Sequence, residues 1–190
     1  MAVRETLKHL WAQIDMNRIS STSGHFFVPQ ASLKTILTES AIGKAVAELD
    51  CEPDDLLGLA NVILNRGLIT FAILVWMHQE DAITAFRHHG ALDSRLPLRE
   101  AEAQQIVPQF GTAFSREYQW QFLPHKFERD EYQEIESSRI LPFVLEVEAP
   151  LTGGFGTVTK QYIHPDLQDF RPNAVNFVSF ALIVGHLLTA

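Results

Sequence analysis

Apolar residues recur at helical spacing along most of the chain before Phe110. Residues 4–16 carry apolar side chains three or four positions apart, namely Leu7, Leu10, Trp11 and Ile14. This period is typical of an amphipathic helix with one buried face. The same spacing, with a first-turn proline, early acidic residues and closing glycines, predicts further helices after Pro29 and over 41–49, 56–65, 80–89 and 98–106.

The block 68–77 is apolar except for Thr70. Its pattern is compatible with a buried strand and with a buried helix, so both alternatives stay open. An apolar block beside an amphipathic helix is also typical of a surface that binds another protein. One functional hypothesis is therefore a protein-interaction module built from the helical region.

Aromatic residues become dense after Phe110. Tyr118, Trp120 and Phe122 alternate with glutamines, which predicts a half-buried strand. The charged stretch 128–139 predicts a connector, so we place a domain boundary near Ser138. This gives a helical region of unknown function at 1–138 and a second region at 139–190.

The second region begins with two extended segments separated by glycines. Residues 140–148 and 159–163 are rich in strand-forming residues, and the run 151–158 reads Leu-Thr-Gly-Gly-Phe-Gly-Thr-Val. This arrangement predicts an antiparallel hairpin, with 144–147 paired to 158–163. The expected fold class is α+β, a mostly helical N-terminal region followed by a partial antiparallel β structure with a glycine-rich hairpin.

Charge and cysteine content narrow the classes of function. The 190 residues carry a formal net charge of −8 and no run of Lys or Arg. Binding to nucleic-acid phosphates requires clustered cations, so we expect no nucleic-acid partner. Cys51 is the single cysteine, which excludes a disulfide framework and favours an intracellular location, cytoplasmic or nuclear.

Neither end of the chain predicts membrane association. The N-terminus mixes charges into its apolar positions and lacks the pattern of a signal peptide. The largely apolar run 177–188 is shorter than the ~20 apolar residues of a membrane-spanning helix. We therefore expect no membrane partner.

Gly153, Gly154 and Gly156 are the candidate binding residues. Glycine adopts backbone angles that other residues resist, and it lets amide N–H groups approach an anion, as phosphate-binding loops require. The run lacks the Gly-Lys pair of a Walker loop, and no helix signature follows it directly, as a dinucleotide-binding fold would need. On the three glycines alone, an ordinary hairpin and a phosphate-binding loop both stay open.

The order of residue types in this run resembles the glycine-rich loop of protein kinases, G-x-G-x-F-G-x-V. Gly153 and Gly156 match its second and third glycines, and Leu151 stands where the first would be. Phe155 matches the residue at the loop tip, and Val158 the residue that packs on adenine. The resemblance implies an ATP site formed by Leu151, Gly153, Gly154, Phe155, Gly156 and Val158.

The flanking segments extend the resemblance. Residues 140–143 (Ile-Leu-Pro-Phe) and 163–165 (Ile-His-Pro) look like divergent fungal serine/threonine kinases, in which a helical region often precedes the kinase lobe. The resemblance implies that 139–190 is the start of a kinase N-terminal lobe. It also implies that the chain is truncated at its C-terminal end.

The residues with which kinases transfer phosphate have no counterpart in the sequence. Ile183 stands where the third-strand lysine would hold the α- and β-phosphates. There is no His-Arg-Asp loop, and Asp169 is followed by Phe and Arg rather than Phe and Gly. We expect no catalytic residue, no Mg²⁺ and no other metal site. Phosphotransfer is not expected from this chain alone, and its status as an enzyme stays open.

Overall fold

The computed structural model describes residues 4–128, 135–146, 151–153, 156–169 and 178–184. The chain divides into two compact units, each built from two stretches of sequence. The helical unit consists of Met1–Arg18 and Val28–Leu123, and the sheet unit consists of Ile19–Phe27 and Pro124–Ala190.

Short helices make up the helical unit. Its α-helices are α1 (Glu5–Met16), α2 (Gln30–Ile36), α3 (Glu39–Val46), α4 (Pro53–Leu56), α5 (Leu59–Arg66), α6 (Leu68–Trp76), α7 (Ile83–His88), α8 (Glu100–Ile106), α9 (Gly111–Ala113) and α10 (Gln119–Phe122). Single 3₁₀ turns cover Glu80–Ala82 and Asp93–Arg95, and a π-helix at Phe114–Tyr118 joins α9 to α10. The predicted helices are confirmed, although the one over 56–65 begins only at Leu59, as α5, and the one over 80–89 starts as the 3₁₀ turn before α7.

The apolar block that the sequence left open between strand and helix is α6, at the centre of the helical unit. Every residue over 70–75 is buried, as expected of a helix that is apolar on all sides. Asp93 holds its first turn, since the carboxylate accepts hydrogen bonds from the amides of Ile69 at 3.0 Å and Thr70 at 2.8 Å. A carboxylate at this position satisfies free N–H groups and interacts favourably with the helix dipole.

The strand predicted around Tyr118, Trp120 and Phe122 is wrong, because the segment is helical. A π-helix covers Phe114–Tyr118, and α10 covers Gln119–Phe122. Burial does not alternate either, since Trp120 and the glutamine before it are both buried. Three alternating aromatics are also compatible with a helix that is buried on more than one side.

Gln119 accounts for the local helical conformation. Its side-chain nitrogen donates to the carbonyl oxygens of Ser115 at 2.6 Å and Leu98 at 2.9 Å. Its side-chain oxygen accepts from the amide of Leu98 at 2.8 Å. These bonds give buried backbone groups the partners that they require. The helical segment is therefore stabilised by a residue 21 positions away in sequence.

Antiparallel strands make up the described sheets of the sheet unit. The smaller sheet pairs β1 (Ile19–Ser20) with β2 (Phe26–Phe27). The four-stranded sheet contains β3 (Phe143–Glu146), β4 (Leu151–Gly153), β5 (Gly156–Ile163) and β6 (Val178–Val184). Within it, β3 pairs with the end of β5. The predicted pairing of 144–147 with 158–163 is confirmed in part. Leu145 and Glu146 pair with Tyr162 and Gln161, whereas residues 156–158 pair with β4, and Val147 lies outside the described residues.

The structure confirms the α+β class, with helices in one unit and antiparallel sheets in the other. The division between units differs from the predicted boundary near Ser138, because the sheet unit begins at Pro124 and also takes in Ile19–Phe27. Two hydrogen bonds of Thr22 explain this assignment. Its amide donates to the carbonyl of Phe143 at 2.7 Å, and its hydroxyl donates to the side chain of Gln161 at 3.3 Å.

Candidate nucleotide-binding hairpin

The glycine run lies in a hairpin formed by β4 and β5. Leu151 pairs with Val158, Thr152 with Thr157, and Gly153 with Gly156. Threonine and valine favour strands, whereas glycine is common where a chain reverses direction. The paired glycines therefore form the last described pair of the hairpin.

The structure brings together four of the six residues predicted to bind nucleotide. Leu151 and Val158 are direct partners, and the Gly153–Gly156 pair lies two residues further along the same two strands. Adjacent strands are about 4.8 Å apart, so the four positions occupy one small area of backbone. Gly154 and Phe155 lie outside the described residues.

Strand β5 is bordered on both edges. Its last residues pair with β3, its first residues pair with β4, and β6 pairs with it over the whole range 157–163. A strand has two edges, so β6 lies along the edge opposite β3 and β4. The register places Ile183 directly opposite Val158. The hairpin thus supplies the central strand, β5, and one of the outer strands, β4, of a wider sheet.

His164 directly follows β5 and contacts two other segments of the sheet unit. Its amide donates to the carbonyl of Pro142 at 3.0 Å, and its ring lies edge-on to Phe27 at 6.0 Å between centroids. Nδ1 of the ring accepts a hydrogen bond from the amide of Asp166 at 3.3 Å. Burial lowers the pKa of the His164 imidazole, and the charge of Asp166 opposes part of that shift.

Phe127 also makes contacts within the sheet unit, and the sequence analysis did not predict them. Its amide donates to the carbonyl of Leu167 at 2.9 Å, and its carbonyl accepts from the amide of Asp169 at 3.2 Å. Its ring stacks on Phe143, with centroids 5.7 Å apart. The aromatic density after Phe110 predicted buried rings, but it gave no indication that the residues up to Phe122 belong to the helical unit and Phe127 to the sheet unit.

The described residues meet the requirements of neither a metal site nor a reactive cysteine. Across the described ranges, no group of three or more His, Cys, Asp or Glu side chains is placed to hold a metal ion. Burial raises the pKa of the Cys51 thiol, and so does the charge of Asp81. A raised pKa reduces the thiolate fraction and hence the reactivity of a cysteine. Cys51 therefore has the properties of a packing residue.

The described helices are short. No single one is long and apolar enough to cross a membrane, whereas the pair Pro53–Arg66 and Leu68–Trp76, bent by 105°, meets the criterion only when taken together.

No family model, curated protein or solved structure matches the chain. The assignment of a function therefore depends on the hairpin, its register and the residue types that it contains.

Proposed function

We propose that the hairpin of β4 and β5 binds a nucleotide, with ATP as the ligand implied by the kinase resemblance. The pairing of Gly153 with Gly156 at the end of the hairpin carries this proposal. Neither residue has a side chain that keeps an anion away from the backbone, and glycine-rich turns bind phosphate through their amides. Residues 139–190 would then correspond to the first strands of a kinase N-terminal lobe.

The proposed activity is binding without phosphotransfer. Kinases hold the α- and β-phosphates with a lysine and the metal ions with an Asp and an Asn. Ile183, at the position that resembles the lysine, offers no charge, and it pairs with Val158 beside the proposed site. Asp169, which precedes Phe and Arg, follows the 3₁₀ turn after β5. The chain would therefore bind nucleotide as a kinase-like domain that lacks the catalytic groups.

A Gly156→Asp variant tests the site. The new carboxylate would stand at the glycine pair, repel phosphate and obstruct the backbone, so we expect ATP binding to weaken by about tenfold or more. Isothermal titration calorimetry of the full chain with ATP measures the change, with circular dichroism to verify folding.

Gly43→Asp is the matched control. Gly43 lies in α3, and a Cβ placed on it would meet nothing within 4 Å. This variant adds the same charge within the helical unit and should bind ATP as the wild type does. Equal affinities of wild type and Gly156→Asp, or no binding by the wild type, would exclude the hairpin as the site.

Most of the apolar block that motivated the interaction-module hypothesis packs within the helical unit. Residues 70–75 are buried, and Trp76 stacks on Trp11 with centroids 5.0 Å apart. Nε1 of Trp11 also donates to the carbonyl of Trp76 at 3.2 Å. The two ends of the block, residues 68–69 and 76–77, are half-buried, and a protein partner of the helical unit stays a prediction without a defined surface.

A further inference from the structure

A groove of about 500 Å³ lies within the helical unit, between α1, the end of α2 and the start of α3. Each of these helices contributes one aliphatic side chain to its lining, and these are Leu10, Ile36 and Ala41. Leu10 is buried, whereas Ile36 and Ala41 are half-buried. The groove therefore has an apolar surface that a ligand can cover with a gain in free energy.

Two opposite charges also line the groove. Glu5 is the first residue of α1, and Lys44 lies in the last turn of α3. Neither side chain forms an ion pair with any residue that the structure describes. Both are exposed to solvent, so one anion and one cation are available to a ligand that itself carries both signs.

The direction of the two helices sets the spacing of these charges. The carboxylate of Glu48, just after α3, accepts hydrogen bonds from the amides of Thr6 at 2.9 Å and Leu7 at 3.0 Å. The end of α3 therefore lies beside the start of α1. Lys44 stands one turn, about 6 Å, before Glu48, and neighbouring helix axes are about 9 Å apart. The backbones of Glu5 and Lys44 are thus separated by roughly 11 Å.

Polar side chains add hydrogen-bonding groups to the same groove. His9 and Gln13 follow Glu5 at intervals of four residues, so the three share one face of α1. Ser40 stands one turn before Lys44 on α3. Imidazole, amide and hydroxyl groups supply both donors and acceptors, which the N–H and C=O groups of a bound peptide require.

We propose that the groove binds a short peptide with free ends, about three residues long and aliphatic at its centre. Three extended residues span about 10 Å, close to the separation of the two charges. The peptide ammonium pairs with Glu5, its carboxylate pairs with Lys44, and its aliphatic side chain covers Leu10. A purely anionic ligand would be repelled by Glu5, and a purely cationic one by Lys44. The site lies in the helical unit and does not depend on the proposed nucleotide binding.

Titration of the ¹⁵N-labelled full chain with Ala-Leu-Ala, followed by nuclear magnetic resonance, is the direct test. We expect shift changes in the amides of α1, α2 and α3 and a dissociation constant of about 0.1–1 mM, the range for a ligand of this size. The same peptide acetylated at its N-terminus and amidated at its C-terminus lacks both charges. It should bind at least about tenfold more weakly.

Lys44→Gln removes the cation from the groove and should weaken binding of the free peptide by about three- to tenfold. Lys8→Gln is the matched control, because Lys8 is exposed on α1 and does not line the groove. It removes the same charge and should leave the dissociation constant unchanged within about twofold. Both lysines are exposed, so neither substitution disturbs the buried core.

Three results would overturn the proposal. The first is the absence of shift changes in the three helices up to about 10 mM Ala-Leu-Ala. The second is equal affinity for the free and the blocked peptide, which would mean that the charged ends are not recognised. The third is an equal effect of Lys44→Gln and Lys8→Gln on binding. A failure of ATP to bind concerns only the hairpin and leaves these outcomes unchanged.

Discussion

At the scale of single residues, His164 links the stability of the sheet unit to pH. Nδ1 of its ring accepts a hydrogen bond from the amide of Asp166, and a nitrogen can accept only while it is unprotonated. Burial also lowers the pKa of this imidazole, against the smaller opposing effect of Asp166. The fold therefore favours the neutral form of His164.

We expect the sheet unit to lose stability as the pH falls through about 6.5, the usual pKa of a histidine in an unfolded chain. Because the pKa in the folded state is lower, the unfolded state binds more protons in this window. The free energy of unfolding therefore falls as the pH falls, until the pH is below the folded pKa. Urea unfolding at about pH 7.5 and pH 5, followed by circular dichroism, measures the difference for wild type and His164→Asn.

The His164→Asn variant should show a smaller difference between the two pH values than the wild type. Replacing the exposed His25 with Asn is the matched control and should leave the wild-type difference unchanged. Identical pH dependence in wild type and His164→Asn would show that His164 does not couple the fold to protonation.

At the scale of elements, Gly111 sets how closely α9 approaches α8. A Cβ at this position would lie 2.5 Å from the carbonyl carbon of Ala103 and 2.5 Å from the amide nitrogen of Gln104. These are backbone atoms inside α8, so they cannot move without shifting the helix. The close contact between the two helices therefore requires glycine.

Gly111→Ala should destabilise the helical unit by about 1–3 kcal/mol, the usual cost of inserting a methyl group into a packed contact. Gly43→Ala is the matched control, because its Cβ meets nothing within 4 Å and Gly43 lies inside α3. It should stabilise the protein by up to about 1 kcal/mol through helix propensity. Chemical denaturation of the two variants measures both effects, and equal stabilities would contradict this account of the contact.

At the scale of the whole molecule, each unit is assembled from two separate stretches of chain. The buried apolar cluster of the helical unit runs from Leu7 to Phe122 and includes Val28. The sheet unit takes in Ile19–Phe27, which supplies the hydrogen bond from Thr22 to Phe143 and the ring contact of Phe27 with His164. Neither unit corresponds to one continuous half of the sequence.

A fragment 1–123 should therefore keep its helical circular-dichroism spectrum and unfold cooperatively, because it contains the complete apolar cluster. A fragment 124–190 should be less ordered than the same residues in the full chain, since it lacks the contacts of residues 19–27. Attaching 19–27 to this fragment should restore sheet signal. A native sheet spectrum for 124–190 alone would contradict the assignment of 19–27 to the sheet unit.

Local patterns in the sequence determined much of the secondary structure and the α+β class. The spacing of Leu7, Leu10 and Ile14 was sufficient for α1, because a helix period is a local property. The extended segments on either side of the glycines were sufficient to predict antiparallel strands, but the hairpin itself is formed within the glycine run, by residues 151–153 and 156–158. That these residues bind nucleotide as in a kinase stays a proposal, which the calorimetric titrations with ATP test.

Tertiary structure alone decided the features that depend on distant residues. The apolar block became α6 where Asp93 accepts its first-turn amides, and Gln119 stabilises a helix where alternation suggested a strand. The pairing of Val158 with Ile183 is likewise a matter of register between strands separated in sequence. Periodicity reports which face of a segment is apolar, but the partner of a hydrogen bond or strand is set only when the folded chain brings remote groups together.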